Sequence, residues 1–528
     1  MPATEVTPTY GFIIDNRRCI GCHACTVACK AEHGDPVGVQ KTWVQYVDKG
    51  IFPEAARAFH VLRCNHCAEA PCVEICPTAS LFARADGIVD FDPSRCVGCK
   101  ACMQACPYDA ITIDPRSGTA TKCNYCAHRV DGGREPACSV VCPTSAILAG
   151  DTSPNGAGTL GPVIATERVA VRKPEKGTRP KLYYIEGDAA ALDPSAAFRD
   201  GRTLWGSRAA DGVDGGLDGH TPHGAARAGA ADDHRALATV PATRGAPRRS
   251  YDIPQRHAGS WGWKVGAYLF TKSIAAGAFL VPALFAGLAP AELSMERALA
   301  LGAPLALVAL LVTGILLVAD LRRPARFLWV MLRPQWHSWL VRGAYIIAAY
   351  GLVLLICCLA PGIAGGMRAA TLLWTGGILA AMTAAYSGWL FGQAKGRDLW
   401  QSALSPIHLL VQALVAGSGA LLIVSPRILS AVETALALLL ALDAALVLLE
   451  VHGRHASADA ARAARILRRG RRGWLLWLGV IAAGRGLAIL LLLAGAPGGP
   501  AVAGLLALAG VLLWELLWVD APQRLPLA

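Results

Sequence analysis

The chain has 528 residues, enough for two or more domains. Its 54% hydrophobic content is unevenly spread: residues 1–190 have a mixed composition, whereas 264–519 are mostly Leu, Ala, Val, Ile and Gly. The net charge of +12 does not form a nucleic-acid-binding face, because most arginines outside the first domain stand between apolar runs, the pattern of membrane topology.

The opening stretch MPATEVTPTYGFIID has no charged start followed by an apolar run, so no signal peptide is expected there. A disulfide framework, which needs an oxidising compartment, is not expected either. Sixteen of the 18 cysteines lie before residue 143, in four groups of four. These are Cys19, Cys22, Cys25 and Cys29; Cys64, Cys67, Cys72 and Cys76; Cys96, Cys99, Cys102 and Cys106; and Cys123, Cys126, Cys138 and Cys142. Groups one and three have the C-x2-C-x2-C-x3-C spacing of bacterial ferredoxins. Groups two, three and four end in Cys-Pro, whereas group one ends in Cys29-Lys30.

Cysteines two residues apart on a tight loop can wrap three corners of one cubane, and the fourth, starting a helix, points away to a second cluster. Thiolates are soft ligands that suit iron–sulfur clusters or zinc. Zinc ribbons also use paired C-x2-C units, but they need neither the recurring third cysteine nor the Cys-Pro ending. No group has lost a cysteine, so four [4Fe–4S] clusters and no [3Fe–4S] cluster are expected.

The segments RCNHCAEAPCVEICP, RCVGCKACMQACPYDAI and KCNYCAHRVDGGREPACSVVCP, with the later RPKLYYIEG, resemble the four-cluster electron-transfer subunit of the dimethyl sulfoxide reductase family. The resemblance covers residues 10–187. It implies an α+β ferredoxin-like domain of two nested dicluster modules, the first group pairing with the fourth and the second with the third. One cluster would be held by Cys19, Cys22, Cys25 and Cys142, and its neighbour by Cys123, Cys126, Cys138 and Cys29. A third would be held by Cys64, Cys67, Cys72 and Cys106, and a fourth by Cys96, Cys99, Cys102 and Cys76. The cysteine spacing itself points to four sites; the pairing is implied by the resemblance. Such a row of clusters is a wire, and no molybdopterin-binding domain is recognisable in this chain to convert a substrate.

From 191 to 260 the chain is rich in Gly, Ala, Asp, Arg and His without apolar periodicity, and reads as a disordered tether. His220, His223 and His234 read there as solvated side chains and not as metal ligands.

Over 261–528 the sequence predicts an all-α membrane domain of eight transmembrane helices, at 264–288, 298–319, 338–360, 369–392, 402–424, 428–450, 474–496 and 499–519. An even number puts both ends on one side. The loops on that side, 320–337, 394–401 and 452–473, carry thirteen Lys or Arg, and the opposite loops contribute Arg297, Arg368 and Arg427. The positive-inside rule then places the cysteine-rich domain in the cytoplasm and the protein in the inner membrane. Cys357 and Cys358, adjacent in an apolar run, read as core or lipid-facing residues.

The helix count, DLRRPARFLWVMLRPQWHSWLVRGAY and YLFTKSIAAGAFL together resemble the NrfD family, the membrane subunits of polysulfide reductase-type complexes. The resemblance covers about 260–520 and implies a quinone-reactive anchor. Ionisable groups inside a bilayer are costly and usually functional. Lys272, Asp320, Arg342, His408, Asp443, Glu450 and Glu515, with Tyr268, Tyr345, Tyr386 and Gln412, mostly fall in the half nearer the cysteine-rich domain. A quinone headgroup needs an apolar cleft with a few donors and a proton source, and Lys272, His408, Arg342, Tyr345 and Asp320 are the candidate quinone and proton site. Haem b would need paired histidines, and His408 is the one histidine well inside a span, so no haem is expected.

Together these features describe an electron-transfer and quinone-reactive anchor subunit of a respiratory oxidoreductase. By resemblance, a separate molybdenum or tungsten molybdopterin chain would exchange electrons with the wire. Two alternatives from other classes are a redox-driven proton-translocating module, with Glu433 and Arg485 extending a proton path, and a ferredoxin-linked quinone oxidoreductase without a molybdopterin partner.

Overall fold

A computed structural model of the chain describes residues 8–153, 158–197, 245–253, 261–288, 293–359, 367–424 and 430–528. These fall into two units: Met1–Ser260 with Leu525–Ala528, and Trp261–Arg524.

In the first unit the apolar run of β1 (Tyr10–Asp15) lies inside a four-stranded sheet. After it come α1 (Ala24–His33) and the long hairpin of β2 (Thr42–Lys49) and β3 (Ala56–Arg63). Next are α2 (Pro71–Glu74), the hairpin of β4 (Leu81–Ala83) and β5 (Val89–Phe91), α3 (Ala101–Ala105), and the hairpin of β6 (Ile111–Ile113) and β7 (Ala120–Lys122). Short helices α4 (Ala127–Val130) and α5 (Ala137–Val140) lead to β8 (Ile147–Asp151), and β9 (Val169–Ala170) and β10 (Leu182–Ile185) complete the sheet in the order β8-β1-β10-β9. The segment RPKLYYIEG therefore supplies β10, parallel to β1 with Phe12 opposite Leu182. Helix α1 packs on α5 and α2 on α3.

The predicted tether is shortened at its far end. Arg248–Tyr251 forms an eleventh strand, β11, antiparallel to β2, so part of 191–260 is ordered on the edge of the long hairpin. Most of the remaining tether, with His220, His223 and His234, lies outside the described residues. Two histidines, His60 and His66, are wholly buried, and burial holds both far below the usual imidazole range. His60 stacks on Tyr184 at 4.6 Å, and His66 Nδ1 accepts the Val89 N–H at 3.1 Å.

The second unit contains, among the described residues, eight helices long and apolar enough to cross a membrane. They are Trp263–Leu288, Met295–Asp320, Trp339–Leu359, Met367–Gly392, Ser405–Val424, Ala431–His452, Gly470–Ala494 and Gly499–Gln523. The first and fifth are the most enclosed, each 72% buried over its apolar core, and they touch backbone to backbone. A Cβ added to Gly277 would sit 1.7 Å from the Ala413 carbonyl oxygen, and one added to Gly417 would sit 2.1 Å from the Gly277 carbonyl carbon. Lipid supplies no hydrophobic drive between helices, so small residues that permit close approach are what hold such a bundle. Ala275, Ala278, Ala303, Ala306 and Ala380 belong to one buried apolar cluster across neighbouring spans, and Cys357 and Cys358 pack half-buried against it. The seventh span is π-helical over Leu475–Leu487, a wider winding that sequence periodicity does not reveal.

Candidate metal centres and a buried membrane network

The four cysteine groups share one local turn. The residue just before each second cysteine has a left-handed backbone: Gly21 (φ 68°), His66 (φ 42°), Gly98 (φ 70°) and Tyr125 (φ 63°). Such a turn folds the loop tightly, so that successive cysteines face one centre. Where Cys-Pro ends a group, the helix stops after four or five residues, and the third residue past the cysteine (Ala79, Asp109 or Ser145) is again left-handed. Proline cannot continue the helical hydrogen bonding. Group one has Lys30 at that position, and α1 runs on for 10 residues to His33.

One cavity is lined by Cys19, Cys22, Cys25 and the distant Cys142. A second is lined by Cys96, Cys99, Cys102 and the distant Cys76. The other eight cysteines are buried near one another. Cys72 interacts with Cys106, Cys64 and Cys67, while Cys123 interacts with Cys29, Cys64 and Cys138, and Cys126 with Cys138. Each cavity joins three cysteines of one group to one of another. Among the described residues no three His, Cys, Asp or Glu side chains converge closely enough to hold a single metal ion. Thiols spread around a cavity fit the corners of a polynuclear cluster instead.

Burial, reinforced by neighbouring thiols, pushes Cys25 and Cys106 up to about 11, and Cys29 and Cys99 up to about 12. Thiolate ligation at such buried positions needs compensating positive charge, which iron would bring. Cys142 is the exception. Burial acts against its thiolate, but the amides of Ile147 and Ala146 outweigh it and hold the thiol below its usual range. The Ala146 N–H donates to Cys142 Sγ at 3.2 Å.

One residue near these thiols escaped sequence reasoning. Arg63, the last residue of β3, is 1% exposed, and its NH1 donates to Cys138 Sγ at 2.9 Å. An arginine before a cysteine in HVLRC reads as an ordinary surface residue. Only the pairing of β3 with β2 and the burial of its end show otherwise.

In the second unit the five candidate quinone-site residues separate into two groups. Lys272 and His408 are buried. Lys272 Nζ donates to Ser387 Oγ at 2.7 Å and to the Ala384 carbonyl at 3.0 Å, and lies 4.9 Å from the Tyr386 ring centre. His408 lies between two carboxylates, with Nδ1 2.9 Å from Glu450 Oε1 and Nε2 3.1 Å from Asp443 Oδ1. Gln412, one turn along the same helix, is 3.2 Å from His408 Nε2. Asp443 also accepts from Arg485 Nε at 2.8 Å. Glu515 accepts from Ser273 Oγ at 3.2 Å and interacts electrostatically with Lys272, His408 and Asp443, linking the two buried groups.

Arg342 and Tyr345 make their hydrogen bonds outside this network. Arg342 is exposed; its Nε donates to the Trp336 carbonyl at 2.8 Å, and the guanidinium lies over the Trp339 ring. The Tyr345 hydroxyl donates to the Met331 carbonyl at 2.8 Å, tying down the loop after the second span. Asp320 ends that span half-buried and interacts electrostatically with Tyr268. The structure also starts the fifth helix at Ser405, placing His408 about 5 Å along it instead of the roughly 10 Å expected from a start at 402.

Residues 18–81 and 56–152 each match a 4Fe-4S dicluster domain, and 252–523 match the family described as Polysulphide reductase, NrfD. A tetrathionate reductase subunit of Salmonella typhimurium is 42% identical over 189 residues, 35% of this chain and 75% of that protein. A polysulfide reductase chain of Wolinella succinogenes is 38% identical over 189 residues, covering 35% of this chain and 97% of the relative. A putative dimethyl sulfoxide reductase iron-sulfur subunit of Halobacterium salinarum is 35% identical over 266 residues, 42% of this chain and 99% of the relative. The chain is a multi-pass membrane protein that belongs to the polysulphide reductase NrfD family through its second half, joined in one polypeptide to the 4Fe-4S dicluster domains of reductase iron–sulfur subunits.

Proposed function

We propose that this chain carries electrons between a separate catalytic subunit, of the molybdopterin type, and the quinone pool. The observation that carries the reading is the coexistence in one chain of two cavities lined by cysteines of different groups, eight further buried cysteines and a buried polar network within apolar spans. We assign one [4Fe–4S] cluster each to Cys19, Cys22, Cys25 and Cys142; to Cys64, Cys67, Cys72 and Cys106; to Cys96, Cys99, Cys102 and Cys76; and to Cys123, Cys126, Cys138 and Cys29. When bound, such clusters supply one-electron relay. The left-handed turns aim the thiols, and Ala146 and Ala120 each direct an amide N–H at a ligating sulfur.

In the membrane half, Lys272 supplies a buried amine donor and His408 a proton-exchanging ring beside Glu450, a donor set suited to a quinone headgroup. The chain itself has no substrate-converting site in this reading; its relatives are named for tetrathionate, polysulfide and dimethyl sulfoxide reductases, and a separate partner would do the corresponding chemistry. Anaerobically purified protein is expected to contain about sixteen iron atoms per chain, four for each cubane. Stoichiometric zinc with little iron, measured by elemental analysis, would overturn the cluster assignment.

The loop charges support a cytoplasmic iron–sulfur unit at the inner membrane. A reporter that works only in the cytoplasm, inserted between residues 210 and 230, is therefore expected to be active. Activity confined to a reporter that works only outside would reverse the topology.

A further inference from the structure

Arg63 differs from five other buried basic side chains of the first unit in its hydrogen-bond or ion-pair partner. Lys122 Nζ donates to the carbonyls of Val89 and Cys123, Lys181 to that of Gly87, and Arg172 to those of Leu192 and Leu527. Lys41 is paired with Asp35, and Arg249 with Asp252. Arg63 instead donates to a thiol, Cys138 Sγ, at 2.9 Å. Its electrostatic neighbours are Cys138, Cys123 and Cys25, and the guanidinium sits 4.5 Å over the Phe12 ring. Its Nε and NH2 are buried and have no hydrogen-bond partner in the protein. Among the described residues no carboxylate lies within ion-pair distance of it.

A buried guanidinium without a counter-ion is expensive, because the isolated charge has lost its hydration. It persists where negative charge of another kind surrounds it. Four thiolates around an iron–sulfur cubane leave a net negative centre that becomes more negative by one charge on reduction. Two unpartnered N–H groups beside those thiols are donors of the kind that meet cluster sulfur.

We propose that Arg63 is a potential-setting residue for the cluster held by Cys123, Cys126, Cys138 and Cys29. By fixing a positive charge and N–H donors against Cys138, Arg63 favours the reduced state and raises that centre's midpoint potential. Cys25, a ligand in the adjoining set, feels the same charge, so Arg63 couples weakly to a second centre. This role rests on the cluster assignment above.

The test is potentiometric titration followed by electron paramagnetic resonance on the full membrane protein, with iron counted per chain in every sample. Low iron in the unaltered protein would remove the cluster assignment itself, a result distinct from failure of the Arg63 role. With iron intact, Arg63→Met is expected to move one midpoint to a more negative potential. A second midpoint should shift less and the other two should hold. Arg63→Lys, which keeps the charge and loses the planar fork, is expected to shift the same midpoint by a smaller amount. Four unchanged midpoints in a fully loaded Arg63→Met protein, or a shift to more positive potential, would overturn the proposal. If Arg63→Met fails to load iron, Arg63→Gln, which keeps an amide donor, is expected to show the negative shift. Loading by the lysine variant and by neither neutral variant would show the same need for charge; equal failure of all three would leave Arg63 a packing residue and overturn its role.

Discussion

Quinone-linked turnover in the Lys272→Met protein is expected to fall by about 100-fold, the loss typical when one preorganised charge or donor is removed from a dry site. Methionine keeps the length and apolar stem of lysine, so the helix contacts around Ser387 and Ala384 are disturbed little. What disappears is the buried amine, the donor that would meet the negative charge developing on a reduced quinone. His408→Ala should act in the same direction for a different reason: Asp443 and Glu450 lose the ring between them, and with it a route for protons. In both variants the iron content should match that of the unaltered protein. Electron transfer from the catalytic partner to an artificial dye at the clusters should persist. Normal quinone turnover in both would make these residues structural and put the quinone elsewhere.

A larger effect on stability is expected from Asp443→Ala. Asp443 is fully buried within an apolar span and accepts two hydrogen bonds from Arg485, itself 1% exposed, while its other oxygen faces His408. Removing the carboxylate leaves a guanidinium in a low-dielectric interior, and breaking one side of such a pair typically costs about 3–5 kcal/mol. The Asp443→Ala protein should therefore accumulate poorly in the membrane and unfold at lower temperature. The double change Asp443→Leu with Arg485→Leu removes both charges together and should recover most of that loss, because an apolar pair of similar volume is often as stable as the ion pair it replaces. Thermal unfolding of the single and double variants in the same detergent measures the difference. A double variant no more stable than Asp443→Ala would show that packing around Arg485, and not charge burial, sets the cost.

The parts legible in the sequence are those governed by short-range rules. Cysteine spacing is local, and so is the length of an apolar run, which is why four cysteine-rich sites and eight spanning helices could be read directly. The spans are apolar all round, so their sequences give depth along the helix but not which way a residue faces. Lys272, Arg342 and Tyr345 share a depth range, yet Lys272 points into the bundle, Arg342 lies exposed over Trp339, and Tyr345 ties down a loop. Contacts across the chain are equally hidden. Nothing near Ser387 or Ser273 announces that they meet Lys272 and Glu515. Arg63 needed the β2–β3 register to be placed beside Cys138. The strand at Arg248–Tyr251 was lost in a Gly/Ala-rich surrounding because an edge strand of four residues carries too little pattern.

The meeting of Gly277 with Gly417, and of Gly419 with Gly504 on the next neighbour, has a mechanical consequence. Where main chains interlock without intervening side chains, one helix cannot slide or roll past another without collision. Rocking these spans against one another, as the halves of an alternating-access carrier rock, would have to break those contacts. Work in such a bundle has to be done by small moving parts: a side chain turning, a proton stepping between oxygens, an electron arriving. A machine of that kind resembles a solid-state relay more than a piston.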